Sequence, residues 1–497
     1  MESLLKQLFS GQVFFFIIVL GIGGSFQTGF HITVINSPSP FIKNFINESW
    51  TMRYGEPMRM GTAKLIWSVI VSINSVGALF GAISMRYIAV QFGRKKTMLY
   101  NNILNIIAAV IMGSSKKANS FEMILVARFL YGFSAGIGYN IHTMYLGESS
   151  PKALRGLMTL TVATFISAGK LSGQLIGIRE ILGHEDLWNI LLCCSTFFSI
   201  IQLVLLPFFP EAPRYLLIDK GNEEMCKKAL QRLWGNRDFK LEIEEMQTEQ
   251  AVINGEKPKS VLALLRDRSV RWQLTSMVVI LTSIQFCGIS AISAYSFTVF
   301  QEAGIPEDKI RYVTLGVGVS EVLTSITCGF LIENIGRRAL LWKAFGCMSL
   351  ILALITVTQF LKHSVPWIPY CTVCLIFIFV ICFSIGPASV IQPLSHEIFI
   401  QSSRPAAFAI IGMLRWIGFS VLGLVFPFLI DSIKHFSFLI FSAVCLVGSL
   451  FVYFIVPETK GKTILEISKE FNNIRACGHC CAKEAEKMHE VIMTTRF

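Results

Sequence analysis

Residues 329–338 read GFLIENIGRR: an apolar segment runs into Glu333 and then into Gly336-Arg337-Arg338. Taken alone, the stretch marks the end of an apolar helix anchored by cations. It has an echo half a chain earlier, where QFGRKK at 91–96 closes another apolar run with Arg94. Two further motifs repeat at nearly the same spacing. Glu148-x-x-Pro151-x-x-x-Arg155-Gly156 is answered by Glu397-x-Phe399-x-Gln401-x-x-Arg404-Pro405, and Pro210-Glu211-Ala212-Pro213-Arg214 by Pro457-Glu458-Thr459-Lys460-Gly461. Three paired motifs in register imply two halves built on one plan. Parallel repeats of this kind are common in secondary transporters, with the substrate site between the halves.

The segments between the motifs set the fold class. Of 497 residues 53% are hydrophobic and only 15% charged, and mean hydropathy is +0.58. A soluble chain carries about 25% charged residues. Apolar runs recur near 13–35, 65–89, 97–115, 122–145, 155–178, 187–209, 271–300, 307–332, 340–361, 367–396, 405–430 and 436–456. Each is long enough to cross a ~30 Å hydrocarbon core as a helix. The expectation is an all-α membrane protein of twelve transmembrane helices. Its parts are a six-helix half at 1–210, a cytoplasmic linker with short helices at 211–270, a second half at 271–456 and a cytoplasmic tail at 457–497.

The net charge of +12 does not point to nucleic acid, because the cations sit in short clusters between apolar runs. Most clusters fall on one side of an alternating topology, and the positive-inside rule then puts both termini in the cytoplasm. The apolar stretch from Phe14 to Gly24 reads as the start of a spanning helix rather than a cleavable signal. The 36–63 loop becomes extracellular, and Asn47-Glu48-Ser49 in it is a glycosylation sequon. The thirteen cysteines do not read as a disulfide framework, and those at 477–481 suit palmitoylation or no modification. No phosphate-binding GxxxxGK[ST], HExxH or strand-borne GxGxxG is present, so no enzyme, cofactor or metal is expected. The lipid bilayer and a small-molecule substrate are the expected partners.

Carboxylates and arginines at the cytoplasmic helix ends suit a latch that pairs across the halves in one state and separates in another. Its members would be Arg94, Glu148, Arg155, Glu211, Arg214, Glu333, Arg337, Arg338, Glu397, Arg404 and Glu458. Deeper in the spans stand three more ionisable residues. At 1.5 Å per residue from the nearest anchor, Arg415 lies roughly 16 Å in, Glu321 roughly 18 Å and Lys170 roughly 22 Å. Such charges normally face the bundle interior or a water-filled cavity. Ala163, Ser167, Lys170 and Gln174 form one polar stripe at helical spacing. Lys170 is near enough to the outer interface to snorkel. Arg415 is too deep for that, and a structural pair with Glu321 is one reading of it.

The motif set resembles the sugar-porter branch of the major facilitator superfamily over about residues 10–470. It is most similar to the animal facilitative glucose/fructose transporters of the fructose-type class. One element departs: Val90 and Gln91 stand where that family has an Asp or Asn and an Arg. The resemblance implies the major facilitator fold and uniport of glucose or fructose by alternating access. Carried over position by position, it implies a substrate site at Gln174, Gln285, Ser290, Glu321, Gln392, Arg415 and Trp416, with Lys170 nearby. Charged residues at 170, 321 and 415 replace neutral ones of the relatives. If Glu321 and Arg415 offset each other, Lys170 leaves the site positive. A urate-like or pterin-like organic anion, held by Arg415 and stacked on Trp416, is therefore a second reading. Proton-coupled symport is a third, because His31 stands where proton-driven porters carry an aspartate.

Overall fold

The computed structural model describes residues 11–150, 152–235, 239–240, 242–244, 246–248, 261–267, 270–362, 364–399, 403–460, 462, 466–467 and 470–471, without the side chains at 86, 152–157, 159–160, 329–334, 392, 396, 404–405 and 435. Among the described residues every regular element is a helix. The first pass is α1 (Gly11–Gly23) and α2 (Ser25–Thr33), followed by the loop helix α3 (Ser39–Tyr54). Passes two to five are α4 (Met60–Phe92), α5 (Arg94–Ser114), α6 (Glu122–Ser149) and α7 (Lys152–Ile176). The sixth is α8 (Trp188–Cys193) with α9 (Ser195–Leu205), and the linker holds α10 (Glu223–Trp234) and α11 (Val261–Arg266). The seventh is broken into α12 (Arg271–Gln285), α13 (Ile289–Ala294) and α14 (Ser296–Glu302). Then come α15 (Glu307–Ile335), α16 (Arg337–Phe360), α17 (Ile368–Phe383) with α18 (Ser389–Ile398), α19 (Arg404–Ile433) and α20 (Ser437–Ile455).

Nine of these passes, among the described residues, are long and apolar enough to cross a membrane. The other three are α7 with Lys170, the broken seventh pass, and α15 with Glu321. The seventh pass breaks at Gly288, whose φ of +95° suits glycine alone. The tenth widens at Ser384–Ala388 because Pro387 lacks the N–H that a regular turn requires.

Helices inside the first half approach at backbone distance. A Cβ on Gly132 of α6 would come within 1.8 Å of the Asn74 carbonyl oxygen of α4, and one on Gly169 of α7 within 1.9 Å of that of Phe26 on α2. Small residues allow such contact where lipid gives helices no hydrophobic drive to associate. Buried amides finish the job. Asn105 donates to Gln27 Oε1 at 2.6 Å, Gln27 to Ser199 Oγ at 2.8 Å, and Asn102 to Gln202 Oε1 at 2.6 Å. Passes one, three and six are thereby tied together.

The repeated motifs fold into mirrored fastenings. Gly93 (φ +86°) and Gly336 (φ +94°) turn the chain into α5 and α16. In the first half the Glu211 carboxylate accepts from the backbone N–H of Arg94 and of Lys95, both at 3.0 Å. In the second, Glu458 accepts from Arg337 at 2.9 Å and Arg338 at 3.1 Å. Each carboxylate satisfies orphan donors at the positive end of a helix dipole. A side chain on either glycine would collide with it, since the added Cβ falls 2.6 Å from Glu211 Oε2 or 2.9 Å from Glu458 Oε2.

The halves meet along α7 with α15 and α4 with α19, supplemented by α2 with α13. On the face that carries α3, side chains reach across this seam. Asn36 donates to the Ser293 carbonyl at 2.6 Å and Arg311 to Ser37 Oγ at 3.1 Å. Lys64 pairs with Asp431, and the Tyr312 hydroxyl donates to Glu180. The α3 face is closed in this conformation.

Candidate functional site

The structure sorts the sequence-derived site residues into two groups, both at the seam. The first joins α7 to α15. Lys170 Nζ donates to Glu321 Oε1 at 2.8 Å, and Ser167 Oγ reaches the same oxygen at 3.4 Å. Both members of the pair are about nine-tenths buried. Gln174, one turn further on, lies over α15, where a Cβ on Gly318 would fall 2.0 Å from its Oε1. The polar stripe of α7 is real, and it faces α15.

The second group lies on α12 and α19. Gln285 is buried and its side chain packs on Gly418, whose added Cβ would sit 2.9 Å away. Trp416 is buried, and Arg415 is half-buried. Arg415 donates to the Tyr139 hydroxyl at 2.8 Å, with its guanidinium 5.1 Å from that ring's centroid. Tyr139 belongs to α6, so this contact also crosses the seam. Ser290 is buried on α13. The Gln392 side chain lies outside the described residues.

The expected Glu321–Arg415 pair does not form. Glu321 is taken by Lys170 because α7 is the helix packed on α15, whereas α19 packs on α4 and α12. The positive charge left over therefore belongs to Arg415 and not to Lys170. Among the described residues no carboxylate meets Arg415. Lys170 does not snorkel either, since its ammonium is held inward by the pair.

Tyr139 escaped the sequence analysis. It is an aromatic residue in an aromatic-rich span, and its hydroxyl accepts from an arginine of the other half. Two glutamine oxygens complete the site. Gln174 Oε1 and Gln285 Oε1 are buried without a hydrogen-bond partner among the described residues. Buried acceptors of this kind normally find a donor. A ligand bearing hydroxyls could supply one, with Trp416 as an apolar face and Arg415 as donor.

The helix-end charges on the linker face close within each half. Arg94 pairs with Glu148 at 2.8 Å and Asp219 at 2.9 Å, and Arg337 with Glu397 at 3.0 Å. Arg338 donates to the Tyr453 carbonyl, and Arg214 stands half-buried at the turn into 215–219. The Arg155, Glu333 and Arg404 side chains lie outside the described residues, as do the cysteines at 477–481. Among the described residues neither Arg94 nor Arg337 pairs across the seam.

His31 stacks on Tyr131 with ring centroids 4.1 Å apart, and its backbone carbonyl accepts from buried Arg128 at 2.8 Å. Arg128 also reaches the Ile70 carbonyl at 3.4 Å. No acidic group pairs with either residue among those described.

Comparison with known proteins agrees with this architecture. The family model described as "Sugar (and other) transporter" matches residues 16–471. The chain is 42% identical over 471 residues to "Solute carrier family 2, facilitated glucose transporter member 11" of Homo sapiens, covering 95% of each. It is 42% identical over 450 residues to member 9 of the same family from Homo sapiens, covering 90% of this chain and 83% of that one. Among solved structures, an inward-open conformation of the xylose transporter XylE from E. coli superposes with a TM-score of 0.75 at 21% identity, over 92% of this chain and 99% of that one. The fold is the two-halved major facilitator fold, and the chain is a multi-pass membrane protein rather than an enzyme. On the family model and the full-length relatives together, the chain belongs to the sugar transporter family.

Proposed function

We propose that the chain carries a hexose, glucose or fructose, down its gradient by alternating access at the seam between 1–210 and 271–456. The observation that carries the reading is the pair of buried glutamine oxygens on Gln174 and Gln285, with Trp416 buried and the Lys170–Glu321 charges neutralised. Hydroxyls suit the two unpartnered glutamine oxygens, and a sugar ring suits the indole face. The relatives named for facilitated glucose transport support the same substrate class. Uniport is favoured over proton coupling because the His31 region already holds a buried guanidinium and no described acidic group that could carry a proton across. A second reading, a small organic anion, draws on Arg415, whose charge meets no described carboxylate.

The linker at 211–270 and the tail at 457–497 are proposed to be cytoplasmic, the α3 face extracellular, and the plasma membrane the site of action. Asn47 is exposed on α3, which suits it as a glycosylation acceptor.

Flux into proteoliposomes tests all three substrate readings. Labelled glucose or fructose should equilibrate without accumulating, with or without a pH gradient. Uphill uptake driven by the gradient alone would refute uniport. Urate flux that exceeds hexose flux and disappears in Arg415→Asn would replace the hexose by an anion.

A further inference from the structure

A cavity of about 240 Å³ opens on the α3 face, lined by none of the candidate substrate residues. Trp67 of α4, Tyr295 between α13 and α14, and Phe426 of α19 give it aromatic walls. The Tyr295 and Phe426 rings lie 5.3 Å apart, and the Tyr295 hydroxyl donates to the Gly423 carbonyl, so the far wall is fixed. Three charged side chains reach the cavity. Lys64 and Asp431 pair across the seam and cancel.

Lys43 has no such partner. Its ammonium lies 5.1 Å from the centre of the Trp67 ring, and among the described residues no carboxylate meets it. The residue keeps contact with solvent, yet the surrounding protein desolvates its ammonium enough to hold the pKa below the usual lysine value. The cavity thus combines apolar aromatic walls, one uncancelled cation at the rim and access from solvent. Pockets that bind small molecules have this make-up, mostly apolar with a few placed polar groups.

We propose that this cavity binds a soluble aromatic monocarboxylate, its ring against Trp67 and Phe426 and its carboxylate on Lys43. The carboxylate gains a charge-assisted hydrogen bond, and the ammonium recovers what desolvation costs it. Lys43 and Trp67 come from the first half and Tyr295 and Phe426 from the second, so the site is complete only while the α3 face is closed. A bound acid therefore favours that state and slows transport without competing at the midspan seam. This last consequence rests on the transport reading; the binding itself does not.

Binding is measured first, on the full chain in phosphatidylcholine nanodiscs, by calorimetry with 2-naphthoate and its neutral analogue 2-naphthylmethanol. Naphthoate should bind saturably, and both the neutral analogue and Lys43→Gln should weaken binding by about tenfold, the loss of one charge-assisted contact. Trp67→Leu, which spares the cation, should weaken it as well. Equal binding of acid and alcohol, or unaltered binding to a monodisperse Lys43→Gln protein, would overturn the proposal. So would displacement of naphthoate by phosphatidylserine in the disc, which would make the occupant a lipid. Hexose exchange is measured second: naphthoate should lower its maximal rate and leave the apparent KM unchanged. Binding without this effect would overturn the coupling to the closed state, whereas absent flux in untreated protein would count against the transport reading alone.

Discussion

Lys170 Nζ lies 2.8 Å from Glu321 Oε1, and the two residues belong to opposite halves. Any rocking of the halves must lengthen, shift or break this pair. Its two charges are expensive to leave alone, because removal of one partner strands the other in a buried place. Lys170→Met or Glu321→Leu alone should therefore destabilise this conformation by about 3 kcal/mol. The double change should recover most of that loss, because apolar residues can replace a buried pair at little cost. Thermal unfolding of the single and double variants in one detergent checks both statements.

Tyr139 should matter through Arg415. Tyr139→Phe removes one hydrogen bond to a charged donor and leaves the ring beneath the guanidinium. A loss of about 1.5 kcal/mol in holding Arg415 corresponds to roughly a tenfold rise in KM for a substrate that Arg415 contacts. Maximal rate should change less than twofold. An unchanged KM in proteoliposome uptake would remove Arg415 from the substrate's surroundings.

The mirrored fastenings predict matched effects. Glu211→Gln and Glu458→Gln each replace a charged helix cap by a neutral one and should cost about 1 kcal/mol apiece. Gly93→Ala and Gly336→Ala should cost more, since each adds a Cβ at positive φ and drives it into the capping carboxylate. Melting temperatures of the four variants should fall into two equal pairs.

Acid should loosen the α3 face. The Tyr312 hydroxyl, donating to Glu180, holds that carboxyl below the usual range, with a smaller contribution from Glu180's own backbone. The folded pKa is depressed, so the contact contributes fully above the ordinary carboxylate value of about 4.3. It is lost as pH falls through the lowered value. Spin labels placed at Arg179 and Lys309 should report a wider distance distribution below that point. Tyr312→Phe should abolish the step.

Much of this molecule could be read from its sequence. Apolar runs and paired motifs gave the passes, because span length and helix-end chemistry are local properties. The fastenings were visible as Glu211 and Glu458 beside Gly93 and Gly336, though not the atoms they hold. The charge pairing was misread for a physical reason. Counting residues from a helix end measures depth, and by depth Glu321 matches Arg415 to roughly 2 Å. Pairing also depends on which helices stand side by side, and α7 rather than α19 stands against α15. Lys170, roughly 4 Å deeper by the same count, was within a side chain's length. Tyr139 was hidden for the same reason, since its partner comes from the other half of the chain.

The Lys170–Glu321 pair has an electrical consequence. A membrane potential does about 2.3 kcal/mol of work per elementary charge per 100 mV, but only on net charge. A lysine and a glutamate moving together present none. Arg415 and Arg128, which no described carboxylate meets, offer the field a handle, and shifting either through a tenth of the field would involve only about 0.2 kcal/mol per 100 mV, below thermal energy. A carrier of neutral cargo built this way should turn over at nearly the same rate in a resting cell and a depolarised one.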